Sequence, residues 1–167
     1  MDIELIIETL EKRFPGKLLE KSPAGFNPLV KVELTSLRET AAFLKKTKEL
    51  DFDFLRCVTA VDCGEKIQVI YNLLSYAFKH KLALKVETAK AEAKVPTVSD
   101  IWPTAGWHER EAYDLVGVVF EGHADLRRIL LPEDWPGHPL SKGYEFPKEY
   151  RGLTNEGKEW NIRRQKN

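Results

Sequence analysis

Residues 54–88 read FLRCVTAVDCGEKIQVIYNLLSYAFKHKLALKVET. The stretch holds three strand-like runs, Phe54–Val61, Lys66–Leu74 and Leu82–Thr88, joined by connections that contain Asp62-Cys63-Gly64-Glu65 and the region from Tyr76 to Lys81. Short connections favour antiparallel neighbours, so a strand meander is expected at the centre of the fold.

Upstream, Ile3, Ile6, Ile7 and Leu10 recur at helical spacing over Ile3–Phe14, and Pro15-Gly16 cannot continue a helix. A Pro/Gly-containing stretch over 22–28 separates this helix from residues 29–34, LVKVEL, whose apolar and charged residues alternate as in a half-buried strand. Ser36-Leu37-Arg38-Glu39 has capping-box spacing, and Leu37, Ala41 and Leu44 follow at helical intervals, which predicts a second helix to about residue 49. Helices mixed with a meander define an α+β class: a two-layer sandwich with helices on one face of a mixed, mainly antiparallel sheet.

The chain has 167 residues, enough for one domain with an appended arm. With 43% hydrophobic and 31% charged residues, the composition is that of a folding chain. Lys plus Arg number 26 and Asp plus Glu 26, so no global field draws the protein to nucleic acid or anionic lipid. No apolar run approaches the roughly 18–20 residues that span a bilayer, and Met1-Asp2-Ile3-Glu4 lacks the basic flank of a signal peptide. The cytoplasm is therefore the expected compartment. Cys57 and Cys63, on an extended run, would stand about 20 Å apart at roughly 3.3 Å per residue, beyond disulfide reach, and both are expected to be reduced.

The chemistry of the sequence changes after Pro96, and Trp102, Trp107, Trp135 and Trp160 all lie beyond it. Thr97-Val98-Ser99-Asp100 suits a capped turn. His108–Val116 reads as a helix with Ala112, Leu115 and Val116 on one face, and with Arg110 and Asp114 at the i, i+4 spacing of an ion pair. Gly117 ends the helix and Val118–Phe120 forms a short strand. From Leu130 onward, Pro132, Pro136, Pro139 and Pro147 interleave with Trp135, Tyr144, Phe146 and Tyr150, which leaves little room for regular structure. A segment of this kind is suited to lying across another surface. Residues 130–167 are expected to form an extended docking arm that follows an α+β domain over 1–129.

No Gly-x-Gly-x-x-Gly, Walker-type loop, Gly-x-Ser-x-Gly elbow or His-Glu-x-x-His occurs. His80, His108, His123 and His138 are far from one another in sequence and from any cysteine, so no local chelate is encoded. Two distant cysteines cannot hold an iron–sulfur cluster, which needs about four ligands. Glu109 and Glu111 invite an acid/base reading, but helix positions i and i+2 project about 200° apart, so one is expected to pair locally and the other across a contact. Arg127 and Arg128 follow Asp125 and read as an ion-pair site rather than a phosphate clamp. Residues 100–125 hold six acids against Arg110 alone, and residues 151–167 hold five bases against two acids, a polarity suited to aligning with a partner. No catalytic, cofactor-binding or metal-binding residue is expected.

Residues 107–130, WHEREAYDLVGVVFEGHADLRRIL, and their continuation to Leu140 closely resemble the signature of the 30 kDa subunit of respiratory complex I, the bacterial NADH-quinone oxidoreductase. The resemblance rests on Glu109, Arg110, Glu111, Tyr113, Asp114, Gly117, Phe120, Gly122, His123, Asp125, Arg127, Arg128, Pro132 and Trp135. Beyond Leu140 the family commonly continues Arg-Lys-Asp-Tyr, where this chain has Ser141-Lys142-Gly143-Tyr144. The resemblance implies a peripheral-arm subunit without a cofactor, packed against the 49 kDa-type subunit beside cluster-bearing subunits. Such a protein reaches the cytoplasmic side of the cell membrane only through a complex that passes electrons from NADH to a quinone and translocates protons. Within it, Glu109, Arg110, Glu111 and Asp114 are expected to form an ion-pair network that orients the helix. His123, Arg127 and Arg128 would anchor the loop leading to the arm. Three rival readings remain: the equivalent component of a membrane-bound hydrogenase or of a ferredoxin- or deazaflavin-dependent complex, a stand-alone hydrolase using Glu109 and His108, and a single-strand nucleic-acid binder using the aromatic, basic tail.

Overall fold

Asp2 starts the first helix, α1 (Ile3–Arg13), where its carboxylate accepts the Ile3 N–H at 2.7 Å. The computed structural model describes residues 2–24 and 27–154, so most of the basic stretch 151–167, including Trp160, lies outside the described residues. After α1 come β1 (Leu18–Ser22) and β2 (Leu29–Val32), then a 3₁₀ turn over Leu34–Ser36 and the helix α2 (Leu37–Lys46). The strand predicted over 29–34 stops at Val32 because Leu34 already belongs to that turn. Ser36 enters α2 from the turn with helical backbone angles and no side-chain cap, so the capping-box spacing goes unused. The helix ends at Lys46, short of residue 49, because the Leu50 and Asp51 N–H groups turn back to the Thr47 carbonyl.

The meander is β3 (Phe54–Asp62), β4 (Lys66–Leu74) and β5 (Lys81–Ala89). With the two earlier strands it forms a five-stranded sheet in the order β1-β2-β5-β4-β3, in which β2 runs parallel to β5 and every other pair is antiparallel. The fold is α+β with a mixed sheet, as the sequence implies. Alternation on β4 sets its faces: Ile67, Val69, Tyr71 and Leu73 are buried, whereas Ile70, Asn72 and Leu74 are only half-buried. The buried face joins Ile6 and Leu10 of α1 and Leu37, Ala41 and Leu44 of α2 in one apolar core. β1 carries almost no inward side chain, its last four residues being exposed, which is why periodicity does not reveal it.

A second layer of structure follows. β6 (Lys94–Pro96) pairs in parallel with β7 (Val119–Glu121), and between them lies α3 (Ala105–Val116), which begins three residues before the predicted His108 and packs against β3. Trp102 is buried at the entrance to α3, and its indole N–H donates to the Phe52 carbonyl at 2.9 Å. Gly117 closes the helix at φ +91°, with its N–H bonded to the carbonyls of Ala112 and Tyr113. A two-residue hairpin, β8 (Glu149–Tyr150) with β9 (Leu153–Thr154), ends the described chain. Among the described residues no helix is long and apolar enough to cross a membrane. Cys57 and Cys63 are free thiols.

Candidate functional site

The signature residues surround α3 and the loop after β7. The helix places Glu109, Arg110 and Asp114 inward and leaves Trp107 and Glu111 exposed. Glu109 is fully buried: Oε1 accepts the Val98 N–H at 2.9 Å and Oε2 accepts the Thr97 hydroxyl. His123 stands 4.0 Å from Oε2. Its Nδ1 accepts the Asp125 N–H, so Nε2 carries the hydrogen and donates it to the Gly106 carbonyl at 3.0 Å. Burial pushes the Glu109 carboxyl above the usual carboxylate range, against the pull of Thr97, the Val98 amide and His123; the charge of Asp100 adds to the rise.

That rise has a measurable consequence. The folded protein holds the Glu109 proton more tightly than the unfolded chain, so wild-type stability falls as pH rises from the ordinary value of 4.5 through the raised folded value. Glu109→Gln removes this loss. Its urea midpoint relative to wild type should therefore be higher at pH 8 than at pH 4, and a relative midpoint that falls with pH would contradict the assignment.

Asp114 is the second buried carboxylate. Its Oδ2 accepts three consecutive backbone N–H groups, from Ile129 at 3.0 Å, Leu130 at 2.7 Å and Leu131 at 2.9 Å, while Oδ1 accepts Arg128 Nη1 at 2.7 Å. Burial raises the Asp114 carboxyl, but the Leu131 amide, Arg128 and the other two amides outweigh it and hold the group below the usual range. The predicted Arg110–Asp114 ion pair is absent among the described residues, a correction with a simple cause. Three amides and a guanidinium from one loop saturate Asp114, and Arg110 instead donates to the carbonyls of Arg127 at 3.1 Å and Arg128 at 2.9 Å. Its guanidinium also lies 5.3 Å from the Trp107 ring centroid.

Arg128 continues along the chain, donating through Nη2 to the carbonyls of Trp135 and Gly137. Arg127 pairs at 3.0 Å with Asp125 on its own exposed loop. His138 Nδ1 donates to the Asp114 carbonyl at 2.9 Å, and its ring meets Tyr113 edge-on. Phe120 is buried in the core. Gly122 has φ +83°, and a Cβ there would meet the Thr97 methyl at 3.4 Å. Pro132 is exposed and its carbonyl accepts the Trp135 N–H. Trp135 donates its indole N–H to the Tyr144 hydroxyl at 2.9 Å, and Phe146 and Tyr150 complete an aromatic cluster around it.

A third carboxylate, which sequence reasoning assigned only to a turn, fixes the chain farther on. Asp62, at the end of β3, binds Lys90 at 2.7 Å and accepts the Ser141 hydroxyl at 3.1 Å and the Lys142 N–H at 2.8 Å. Lys90 first, and then the Gly64 and Lys142 amides, hold its carboxyl far below the usual range despite burial. Ser141 and Gly143 thus have structural parts here: a hydroxyl on Asp62 and a turn at φ +80°. The Gly64 amide that Asp62 accepts lies only two residues on, but nothing local in the sequence reveals its hold on Ser141 and Lys142, which lie 79 and 80 residues away.

These contacts define an α+β module that grips its own C-terminal segment with the carboxylates of Asp114 and Asp62, mostly through main-chain N–H groups. A family model described as "Respiratory-chain NADH dehydrogenase, 30 Kd subunit" matches residues 30–150, and the chain belongs to that family. It is 39% identical over 153 residues to the NADH-quinone oxidoreductase C subunit of Chloroherpeton thalassium, covering 90% of this chain and 64% of the relative. The namesake from Roseiflexus castenholzii is 38% identical over 157 residues, covering 92% of this chain and 90% of that one. Among solved structures, the trypsin-resistant fragment (1–134) of Nqo5 superposes with a TM-score of 0.64 at 28% identity, over 75% of this chain and all of the fragment. A chain of the membrane-bound sulfane sulfur reductase, an archaeal respiratory membrane complex, shares the fold with a TM-score of 0.67 at 24% identity, over 78% of this chain and 77% of its own.

Proposed function

We propose that this chain is a non-catalytic peripheral-arm subunit of a proton-translocating NADH:quinone oxidoreductase, held on the cytoplasmic side of the cell membrane by its neighbours. Residues 1–129 form its body, and residues 130–167 dock to the 49 kDa-type subunit beside cluster-bearing subunits. One observation carries this reading: the described part of the arm displays Leu130, Leu140, Phe146 and Leu153 at 61–73% exposure. Large apolar side chains so displayed on a chain whose path is fixed by buried carboxylates suit a permanent interface with a neighbouring protein. The hydrolase reading lacks support, because both oxygens of Glu109 are occupied and no part of the residue is exposed.

The double variant Leu130→Asp/Phe146→Asp tests the docking. Made in the tagged full chain in its own host, it should still unfold cooperatively, losing only the edge contacts of Phe146 with Trp135 and Tyr144, yet co-purify at least about tenfold less of the 49 kDa-type subunit, since charges would replace apolar anchors. Wild-type recovery of that neighbour with the double variant would refute docking through the arm.

A further inference from the structure

Between β3 and α3 lies a hollow of about 110 Å³, lined by the apolar side chains of Val58, Ala60, Ala112, Leu115 and Leu140 among others, with Glu111 the single charged residue in its lining. It is too small for a drug-sized ligand, whose sites run to roughly 300–1,000 Å³, and is matched to one side chain. Five of the six acids in residues 100–125 are engaged within the chain: Asp100 by Arg38, Glu109 by Thr97 and Val98, Asp114 by Arg128, Glu121 by Lys94 and Asp125 by Arg127. Glu111 is exposed and makes no hydrogen bond or ion pair among the described residues. One turn before it stands Trp107, 63% exposed, with Arg110 against its ring. Positions i and i+4 of a helix hold their Cβ atoms roughly 5–6 Å apart, so the carboxylate and the indole can contact one bound group together.

We infer that this hollow receives an arginine side chain of a partner protein, its aliphatic stem against Leu115 and Leu140 and its guanidinium on Glu111 and the Trp107 ring. Covering the hollow with a purely apolar group would bury an unpaired carboxylate, which is costly. The arriving side chain must therefore bring a cation. Arginine fits best: its stem packs on apolar surface, its fork pairs bidentately with a carboxylate, and its plane stacks on an aromatic ring. The inference rests on the docking reading above, because Leu140 belongs both to the arm and to this hollow.

The test uses the tagged full chain expressed in its own host, reading the neighbouring proteins of the complex that co-purify at rising salt. Glu111→Gln and Trp107→Ala should each lower recovery roughly tenfold or more, and Glu111→Arg should abolish it, as removal of one member of a desolvated charge pair does. Glu65→Arg, at an exposed acid of the β3–β4 turn, should leave recovery unchanged. Recovery at the wild-type level with Glu111→Arg, while Leu130→Asp/Phe146→Asp loses its partner, overturns the hollow and leaves the docking reading standing. If the wild-type chain recovers no neighbour, both fall. A carbodiimide cross-link from Glu111 to a partner lysine overturns the arginine assignment, and salt-sensitive loss without that cross-link supports it.

Discussion

Asp114→Asn should lower the free energy of unfolding of the full chain by about 3–5 kcal/mol, the cost of breaking a buried ion pair from one side. Asp114 is fully buried, so water cannot replace what the carboxylate supplied. An asparagine has one acceptor oxygen and a donor NH₂, whereas the site surrounds Asp114 with four donors: the N–H groups of Ile129, Leu130 and Leu131 and the Arg128 guanidinium. Whichever way the amide is turned, its own donor faces another donor, and either Arg128 or the three main-chain groups lose their partner. Urea unfolding at pH 7 measures the effect. A loss below about 1 kcal/mol, the net contribution of one ordinary hydrogen bond, would mean that the loop 128–131 is not held by this carboxylate.

Gly117→Ala carries the second large effect, a loss of about 2–3 kcal/mol from backbone strain and steric displacement together. The residue sits at φ +91°, a conformation that L side chains rarely adopt, and an added Cβ would lie 2.8 Å from the His138 ring. That ring cannot retreat without releasing the bond from Nδ1 to the Asp114 carbonyl. Gly122→Ala provides the comparison, because its φ of +83° is similar but its Cβ would meet the Thr97 methyl at the ordinary distance of 3.4 Å. It should lose only the conformational part, about 1–2 kcal/mol. Equal losses at the two glycines, read from thermal and urea melts, would show that the His138 contact contributes nothing.

The sheet was legible because its three long strands announce themselves. β4 buries every second residue, and Gly64 and the short connections on either side fix antiparallel neighbours. β1 and β6 were not legible: one exposes nearly every side chain and the other is three residues long and ends in proline. The parallel pairing of β2 with β5 was also hidden, since it depends on where the chain returns after some fifty residues.

At the site, the signature identified the residues but not their partners. Spacing proposed Arg110 for Asp114, whereas the tertiary structure brought Arg128 and three amides from the next loop. Local periodicity carries no information about main-chain donors, which every residue except proline possesses. Glu109 and Glu111, identical in type and two residues apart, have opposite surroundings because helix geometry sends one into the core and the other to the surface.

The grip of Asp114 on three successive main-chain N–H groups has an evolutionary corollary. Such donors are offered alike by almost any amino acid, so positions 129 to 131 can exchange side chains while the trajectory of the backbone is kept intact. Proline alone, which lacks the hydrogen, is barred from all three. Divergence in what this segment displays is thereby separated from the fidelity of its placement.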